Sequence, residues 1–357
     1  MNFIFKKFIV IFITIFFSAN LFAKEGKVIG TSNHTIPSWF KDSFLDINED
    51  IEEASSKNKH FMIFLDFEGC PYCSKMLKEN FEEDNKTSQF IKSNFDVIEL
   101  NVKGSKEITW IDGEVLTEKD LTEKLKIQYS PTILFFSPDK KIVARVNGYR
   151  NSVDFQYILD FVQTKKYESM DMASYLNKVG KKEIYKFQTN KMFKDINDMS
   201  KIKTPLAIIF EDGSCTQCEY FHNKILTNKD VKGEFKKFTV VRIDANSTKQ
   251  IITPEGLKTT PKEWVEKLNL DYRPGILLYD NQNLISTIDA LLFPFHFKEL
   301  LRYVSEKHYI NYPNSYLDYL KVRQDDLIKS GETIKVCQSA YAGVQDQFDA
   351  MAFAGDY

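Results

Sequence analysis

The 357-residue sequence predicts an α/β protein built from two tandem copies of one unit, each a central mixed sheet flanked by helices. Three observations carry this reading. Two Cys-x-x-Cys motifs, Cys70-Pro71-Tyr72-Cys73 and Cys215-Thr216-Gln217-Cys218, each follow an apolar run of strand length. The segments around the motifs align with one another, which marks an internal repeat. Each copy then closes on an amphipathic helical pattern.

Both copies read as helix, strand, Cys-x-x-Cys helix, strand, helix, proline-led strand, strand, helix. The entering strands are Phe61 to Phe67 and Leu206 to Phe210, and the second strands are Val97 to Asn101 and Val240 to Asp244. From Asn101 and Asp244 the copies run without a gap to Pro131 and Pro274. That stretch pairs Ile108 with Ile251, Gly113 with Gly256, Leu125 with Leu268 and Tyr129 with Tyr272. Apolar runs follow the prolines, Thr132 to Phe136 and Gly275 to Tyr279. Turn signals at Pro138-Asp139 and Asn281-Gln282 make each the first arm of a hairpin. The closing helices place Phe155, Ile158, Leu159, Phe161 and Val162 on one face, and Phe297, Leu300, Leu301, Tyr303 and Val304 on the other copy's equivalent face.

These boundaries give a first unit over 24–180 with its core at about 41–170, and a second over 181–330 with its core at about 192–320. Lys- and Asn-rich residues 177–200 hold the expected linker and the opening helix of the second unit. A tail of 331–357 carries Tyr341, Val344, Phe348 and Met351 at helical spacing, suited to docking on the second unit or a partner.

Composition narrows the function. With 43% hydrophobic and 27% charged residues the chain is globular, and a net charge of -2 with acids and bases interspersed leaves no basic face for nucleic acid. At the N-terminus, Lys6 and Lys7 precede an apolar run from Phe8 to Phe17, then Leu21-Phe22-Ala23. This is read as a signal peptide over 1–23, since the run is shorter than the roughly 20 residues of a membrane span. An uncleaved anchor is the other reading.

Export to an oxidising compartment would make cysteines staples, but spacing argues otherwise. Four of the five cysteines form the two motifs, and such pairs close loops too small to restrain an unfolded chain. Cys337 is left over without an assigned role. Zinc ribbons set their pairs roughly 15 to 20 residues apart, unlike these. Ser74 and Glu219 follow the second cysteines where a c-type haem needs histidine. His222, one turn after Cys218, would either complete a metal site or serve as an ordinary surface or packing residue, the commoner role of a lone helical histidine. No metal and no cofactor are expected.

A strand entering Cys-x-x-Cys at a helix N-terminus, followed by a proline-led strand, resembles the thioredoxin superfamily over both cores. Gly69 to Cys73, Trp110-Ile111-Asp112-Gly113, Tyr129-Ser130-Pro131-Thr132 and Gly148-Tyr149 are similar to bacterial periplasmic thioredoxins of the SoxW-like type. The resemblance implies two thioredoxin-like folds, a periplasmic thiol-disulfide oxidoreductase, a membrane redox partner, and cis Pro131 and Pro274 facing the disulfides. Two departures stand out. Gly69 and Ser214 replace the family's tryptophan, and Phe64 and Ile209 replace its buried aspartate, so the redox tuning of thioredoxin does not carry over. The nearest acids are Asp66 and Glu68, then Glu211 and Asp212. Asp66 or Glu211 would move the proton of exchange if close to its resolving cysteine, and is otherwise a solvated carboxylate.

Exchange needs a thiolate that attacks a sulfur and a second thiol that resolves the mixed disulfide. A helix N-terminus favours the anion, which makes Cys70 and Cys215 the nucleophiles and Cys73 and Cys218 the resolving thiols. Pro71 suits the first helical turn. Backbone exposed by the proline loop would pair with an extended client, so the partners are protein or peptide disulfides. Ser130 and Arg273 border that groove. Arg273 either stabilises a thiolate or draws an acidic client, or is an exposed surface arginine. Pro71-Tyr72 makes the first unit the expected seat of most exchange. The rival reading is a peptide-binding protein or chaperone whose pairs are static disulfides.

Overall fold

Each Cys-x-x-Cys motif follows directly on the central strand formed by its preceding apolar run. In the computed structural model the described residues are 25–179, 185–215, 217–313 and 315–336. The expected signal peptide, Cys337 and the helical spacing of the tail lie outside them.

After a short strand β1 (Val28–Ile29), the first unit runs α1 (Ile47–Ser56), β2 (His60–Asp66), α2 (Pro71–Asn80), α3 (Lys86–Asn94) and β3 (Phe95–Asn101). A small hairpin of β4 (Glu107–Thr109) and β5 (Val115–Thr117) precedes α4 (Glu118–Lys124). Then come β6 (Thr132–Phe136), β7 (Ile142–Asn147), α5 (Ser152–Gln163) and α6 (Met172–Lys178). The second unit runs β8 (Phe193–Lys194), β9 (Leu206–Glu211) and α7 (Cys218–Tyr220), which passes into a π-helical turn over Phe221–Ile225. It continues with α8 (Lys229–Phe235), β10 (Thr239–Asp244), β11 (Ile251–Ile252), β12 (Lys258–Thr259) and α9 (Pro261–Lys267). It closes with β13 (Gly275–Asp280), β14 (Asn283–Ile288), α10 (Pro294–Ser305), α11 (Tyr316–Lys329) and β15 (Ile334–Lys335).

The first sheet has the order β3-β2-β6-β7, with β2 parallel to β3 and antiparallel to β6, and β7 antiparallel to β6. The second, β14-β13-β9-β10-β8, repeats this pattern and adds β8 parallel to β10. The predicted mixed sheets flanked by helices are therefore present in both copies. Strands β2 and β9 are buried along their whole length, which is why they read as unbroken apolar runs rather than alternations. Successive side chains go to opposite faces. Phe61, Ile63 and Leu65 pack with Ile47 and Ile51 of α1, while Met62 and Phe64 pack with Met76 of α2 and Phe155 of α5. In the second unit Leu206, Ile208 and Phe210 meet Trp264, and Ala207 and Ile209 face the other way. The faces bearing Met62 and Ala207 belong to one continuous apolar core that runs through both units.

Local chemistry repeats with the sequence. Thr117 with Asp120, and Thr260 with Glu263, form capping boxes that start α4 and α9. Gly113 and Gly256 turn their short hairpins at φ +83° and +86°, where a side chain is disfavoured. Asn281 and Gln282 both take positive φ, the geometry of a tight two-residue hairpin turn.

Some expectations fail. Among the described residues of 177–200 no helix opens the second unit. Asn190 accepts from the Met192 amide and Asp198 from the amide and hydroxyl of Ser200, so these side chains hold turns instead. Phe193 and Lys194 form the added edge strand β8. Helices α3 and α8, capped by Asn85 and Asn228, were not foreseen. The described part of the tail pairs as β15 with β1, joining N-terminal and C-terminal segments. Among the described residues no helix is long and apolar enough to cross a membrane.

Candidate functional site

Both motifs are closed as disulfides, Cys70–Cys73 with Cα atoms 5.3 Å apart and Cys215–Cys218 with 5.5 Å. In the first unit Cys70 is the N-cap of α2. Its sulfur accepts the Cys73 amide at 3.1 Å, and Pro71 starts the helix. In the second unit the helix that follows Cys215 is described from Cys218, with Gln217 as its N-cap in helical conformation. Thr216-Gln217 lacks the fixed φ with which Pro71 presets the first turn.

The Ser130–Pro131 and Arg273–Pro274 peptide bonds are cis. Cys70 Sγ lies 3.5 Å from the Ser130 carbonyl oxygen, and Cys73 Sγ lies 3.4 Å from Ser130 Oγ. Arg273 is buried rather than exposed. Its Nε donates to Asp212 Oδ2 at 2.8 Å, and Nη1 donates to the carbonyls of Leu270 and Tyr272. A charge so enclosed needs such a partner, and Asp212 was not paired with it from sequence.

Asp66 and Glu211 are buried, at 4% and 0% exposure, which removes the solvated-carboxylate reading. Each contacts a histidine. His34 Nε2 sits 2.5 Å from Asp66 Oδ2 while its Nδ1 reaches Ser74 Oγ at 3.3 Å. His222 Nε2 sits 2.7 Å from Glu211 Oε1, so this histidine is a buried carboxylate partner. Tyr185 donates to Glu211 Oε2 at 3.1 Å and packs on Cys215 and Cys218. The hydrogen bond to Asp66 holds His34 above its usual pKa. Burial, then the charge of Asp66, pushes Glu99 up to about 7. Among the described residues neither Asp66 nor Glu211 is hydrogen-bonded to a cysteine.

Sequence reasoning missed His34 and Tyr185. His34 lies on an irregular segment held beside the motif by the Ser32 amide donating to Gly69 O. No periodic signal marks such a segment, though a histidine and a strand-end acid in each copy would have been a hint.

Both first cysteines are covered, with Cys70 at 1% and Cys215 at 3% exposure. The groove beside Cys70 is lined from the second unit by Ala290, Leu291, Leu292, His296, Tyr316 and Leu320. Tyr72 stacks on Phe293 at 4.8 Å and its hydroxyl accepts the Phe293 amide at 2.8 Å. The cavity beside Cys215 is lined from the first unit by Arg150, Asp154, Ile158 and Leu176. The proline loops are therefore not exposed as expected, because each unit lies over the other's motif. Among the described residues no cluster of His, Cys, Asp and Glu is placed to hold a metal.

Comparison with known proteins gives two matches of one family model, the Thioredoxin-like domain, over residues 47–163 and 192–305. Thiol:disulfide interchange protein DsbD of Photorhabdus laumondii is 29% identical over 119 residues, a match covering 32% of this chain and 19% of that relative. Among solved structures, a thioredoxin-fold protein from Helicobacter pylori is 21% identical, over 38% of this chain and 90% of that one, with a TM-score of 0.31. A thioredoxin from Thermus thermophilus is 23% identical, over 34% and 85%, with a TM-score of 0.28.

Proposed function

The chain belongs to the thioredoxin-like domain family, and from that premise we propose that it is an exported thiol-disulfide oxidoreductase acting on protein or peptide disulfides. The observation that carries this reading is the Cys70–Cys73 disulfide at a helix N-terminus, with Cys70 Sγ 3.5 Å from the carbonyl before the cis proline.

In the reducing direction the Cys70 thiolate attacks one client sulfur. A Cys70–client bond forms, and the other client sulfur leaves as thiolate. The Cys73 thiolate then attacks Cys70 Sγ, expels the remaining client thiolate and closes Cys70–Cys73, passing two electrons to the client. The oxidising direction is the reverse. The Cys73 amide and the N-terminus of α2 favour the Cys70 thiolate. Asp66 and Glu211, paired with His34 and His222, are buried acids close in sequence to the motifs, and the proton of the resolving thiol would reach them without a direct bond to the cysteine. Cys215 and Cys218 repeat the chemistry without a proline to preset the first turn, so the first unit carries most of the exchange. Pro131 and Ser130, and Pro274 and Arg273, border the two client grooves. A membrane redox partner renews the spent pair.

Turnover of insulin disulfides with a thiol reductant tests the reading, with loss of turnover expected on Cys70→Ala combined with Cys215→Ala. Burial of both first cysteines favours a second reading, a peptide-binding protein or chaperone with static disulfides. Absence of turnover by the parent protein, with aggregation of an unfolded client still slowed, would establish that second reading instead.

A further inference from the structure

We propose that the two units form a reciprocal clasp in which each covers the client groove of the other, and that the Leu291-Leu292-Phe293 segment is a built-in stand-in for an apolar client of Cys70. The identity of the groove as a client site rests on the oxidoreductase reading. The clasp itself does not.

The contact has the form of a symmetric interface, in which equivalent residues meet each other. Register places Ile133 opposite Val146 and Ile276 opposite Ile288, so Asn147 corresponds to Asp289, Gly148 to Ala290 and Arg150 to Leu292. Asn147 Nδ2 donates to Asp289 Oδ2 at 2.7 Å. A Cβ added to Gly148 would lie 2.5 Å from Ala290 Cβ, so these equivalents touch at the centre of the contact. Outward from that centre, Leu292 reaches the Cys70 groove and Arg150 reaches the Cys215 cavity. Leu320 on α11 and Leu176 on α6 complete the same two linings.

The two seats differ in chemistry. Over Cys70, Leu291, Leu292 and Phe293 are all buried, and Tyr72 takes the Phe293 backbone amide as it would that of an extended peptide. Over Cys215, Arg150 lies 4.6 Å from the Tyr272 ring centroid and 3.8 Å from Asp271, and donates to Asp289 O at 3.1 Å. The first groove thus selects cysteine segments flanked by apolar residues, which must displace the stand-in. Because both covers share one centre, parting the units frees both sites together.

The test is alkylation of the fully reduced protein, carrying Cys337→Ser, by a polyethylene-glycol maleimide, with each cysteine read by peptide mass spectrometry. In the combined variant Leu291→Asp, Leu292→Asp, labelling of Cys70 is expected to rise about tenfold or more, because an unpaired carboxylate disfavours an apolar seat. Cys215, whose cavity neither residue lines, is expected to rise with it. A rise at Cys70 alone, or at neither in a folded variant, overturns the clasp. If the variant fails to fold, a cysteine-free peptide containing Leu-Leu-Phe is added to the parent protein. Faster labelling of Cys215 supports the proposal, and an unchanged rate overturns it. Alkylation requires no turnover, so a supported clasp with no insulin reduction rejects the oxidoreductase reading alone.

Discussion

Gly148 and Ala290 stand at equivalent places in the two copies and face each other so closely that a Cβ on Gly148 would fall 2.5 Å from the Ala290 Cβ. Gly148 also holds φ at +75°, a backbone region that side chains disfavour. The glycine therefore serves both a turn and the meeting of the units. Gly148→Val is expected to destabilise the protein by about 1–3 kcal/mol through overpacking, with a further loss from the backbone. Urea unfolding measures the loss. Ala290→Gly, which removes the opposing methyl, is expected to restore part of it when combined with Gly148→Val.

Arg273 and Asp212 form a buried pair beside Cys215, with side-chain exposures of 6% and 2%. Removing one member strands the other away from water. Arg273→Ala is expected to cost about 3–5 kcal/mol, measured by chemical unfolding, whereas an exposed arginine would cost almost nothing. Combining Arg273→Met with Asp212→Leu is expected to recover only part of the loss, because the Leu270 and Tyr272 carbonyls and the Ser214 amide and hydroxyl also lose their partners.

Two groups at the contact give opposite pH dependences. Burial pushes His296, which approaches the Tyr72 hydroxyl, down to about 4, while burial and then the charge of Asp271 push Asp289 up to about 6. The unfolded chain binds a proton at histidine near pH 6.5, before the folded protein does, so the contribution of neutral His296 is lost as pH falls from about 6.5 through 4. Asp289 keeps its proton longer in the folded protein, so its contribution is present below about pH 3.9 and lost as pH rises through 6. Relative to the parent, His296→Gln is expected to gain stability near pH 4 and not at pH 7. Asp289→Asn is expected to gain at pH 7 and not near pH 4. Thermal unfolding across this range distinguishes them.

The strands and the repeat were legible because their signals are local: unbroken apolar runs, turn residues and the two Cys-x-x-Cys motifs. The tandem thioredoxin-like fold followed from those together. What was not legible depends on distant parts of the chain meeting. Leu291 and Leu292 read as ordinary apolar residues, and nothing in their neighbourhood says that they lie over Cys70. Arg273 shows its character only beside Asp212, and Asp66 only beside His34. Gly148-Tyr149 was noticed as a family likeness, yet the glycine's contact with Ala290 arises from the packing of two units. Among the described residues the opening helix expected in the second unit is missing for the converse reason, because Asn190 and Asp198 bond local amides as turns.

The most direct test of the account concerns the division of labour between Cys70 and Cys73. With Cys337 replaced by Ser and each variant expressed at equal level, Cys73→Ser keeps the attacking thiol and removes the resolving one. Non-reducing gels of whole cells are expected to show clients accumulating as reductant-sensitive bands of high mass. Cys70→Ser is expected to trap far fewer, because the remaining thiol lies a turn into α2 and lacks the N-terminal position that favours the thiolate. Equal trapping by the two variants, or none by either in a folded protein, would contradict the assignment of Cys70 as the attacking nucleophile.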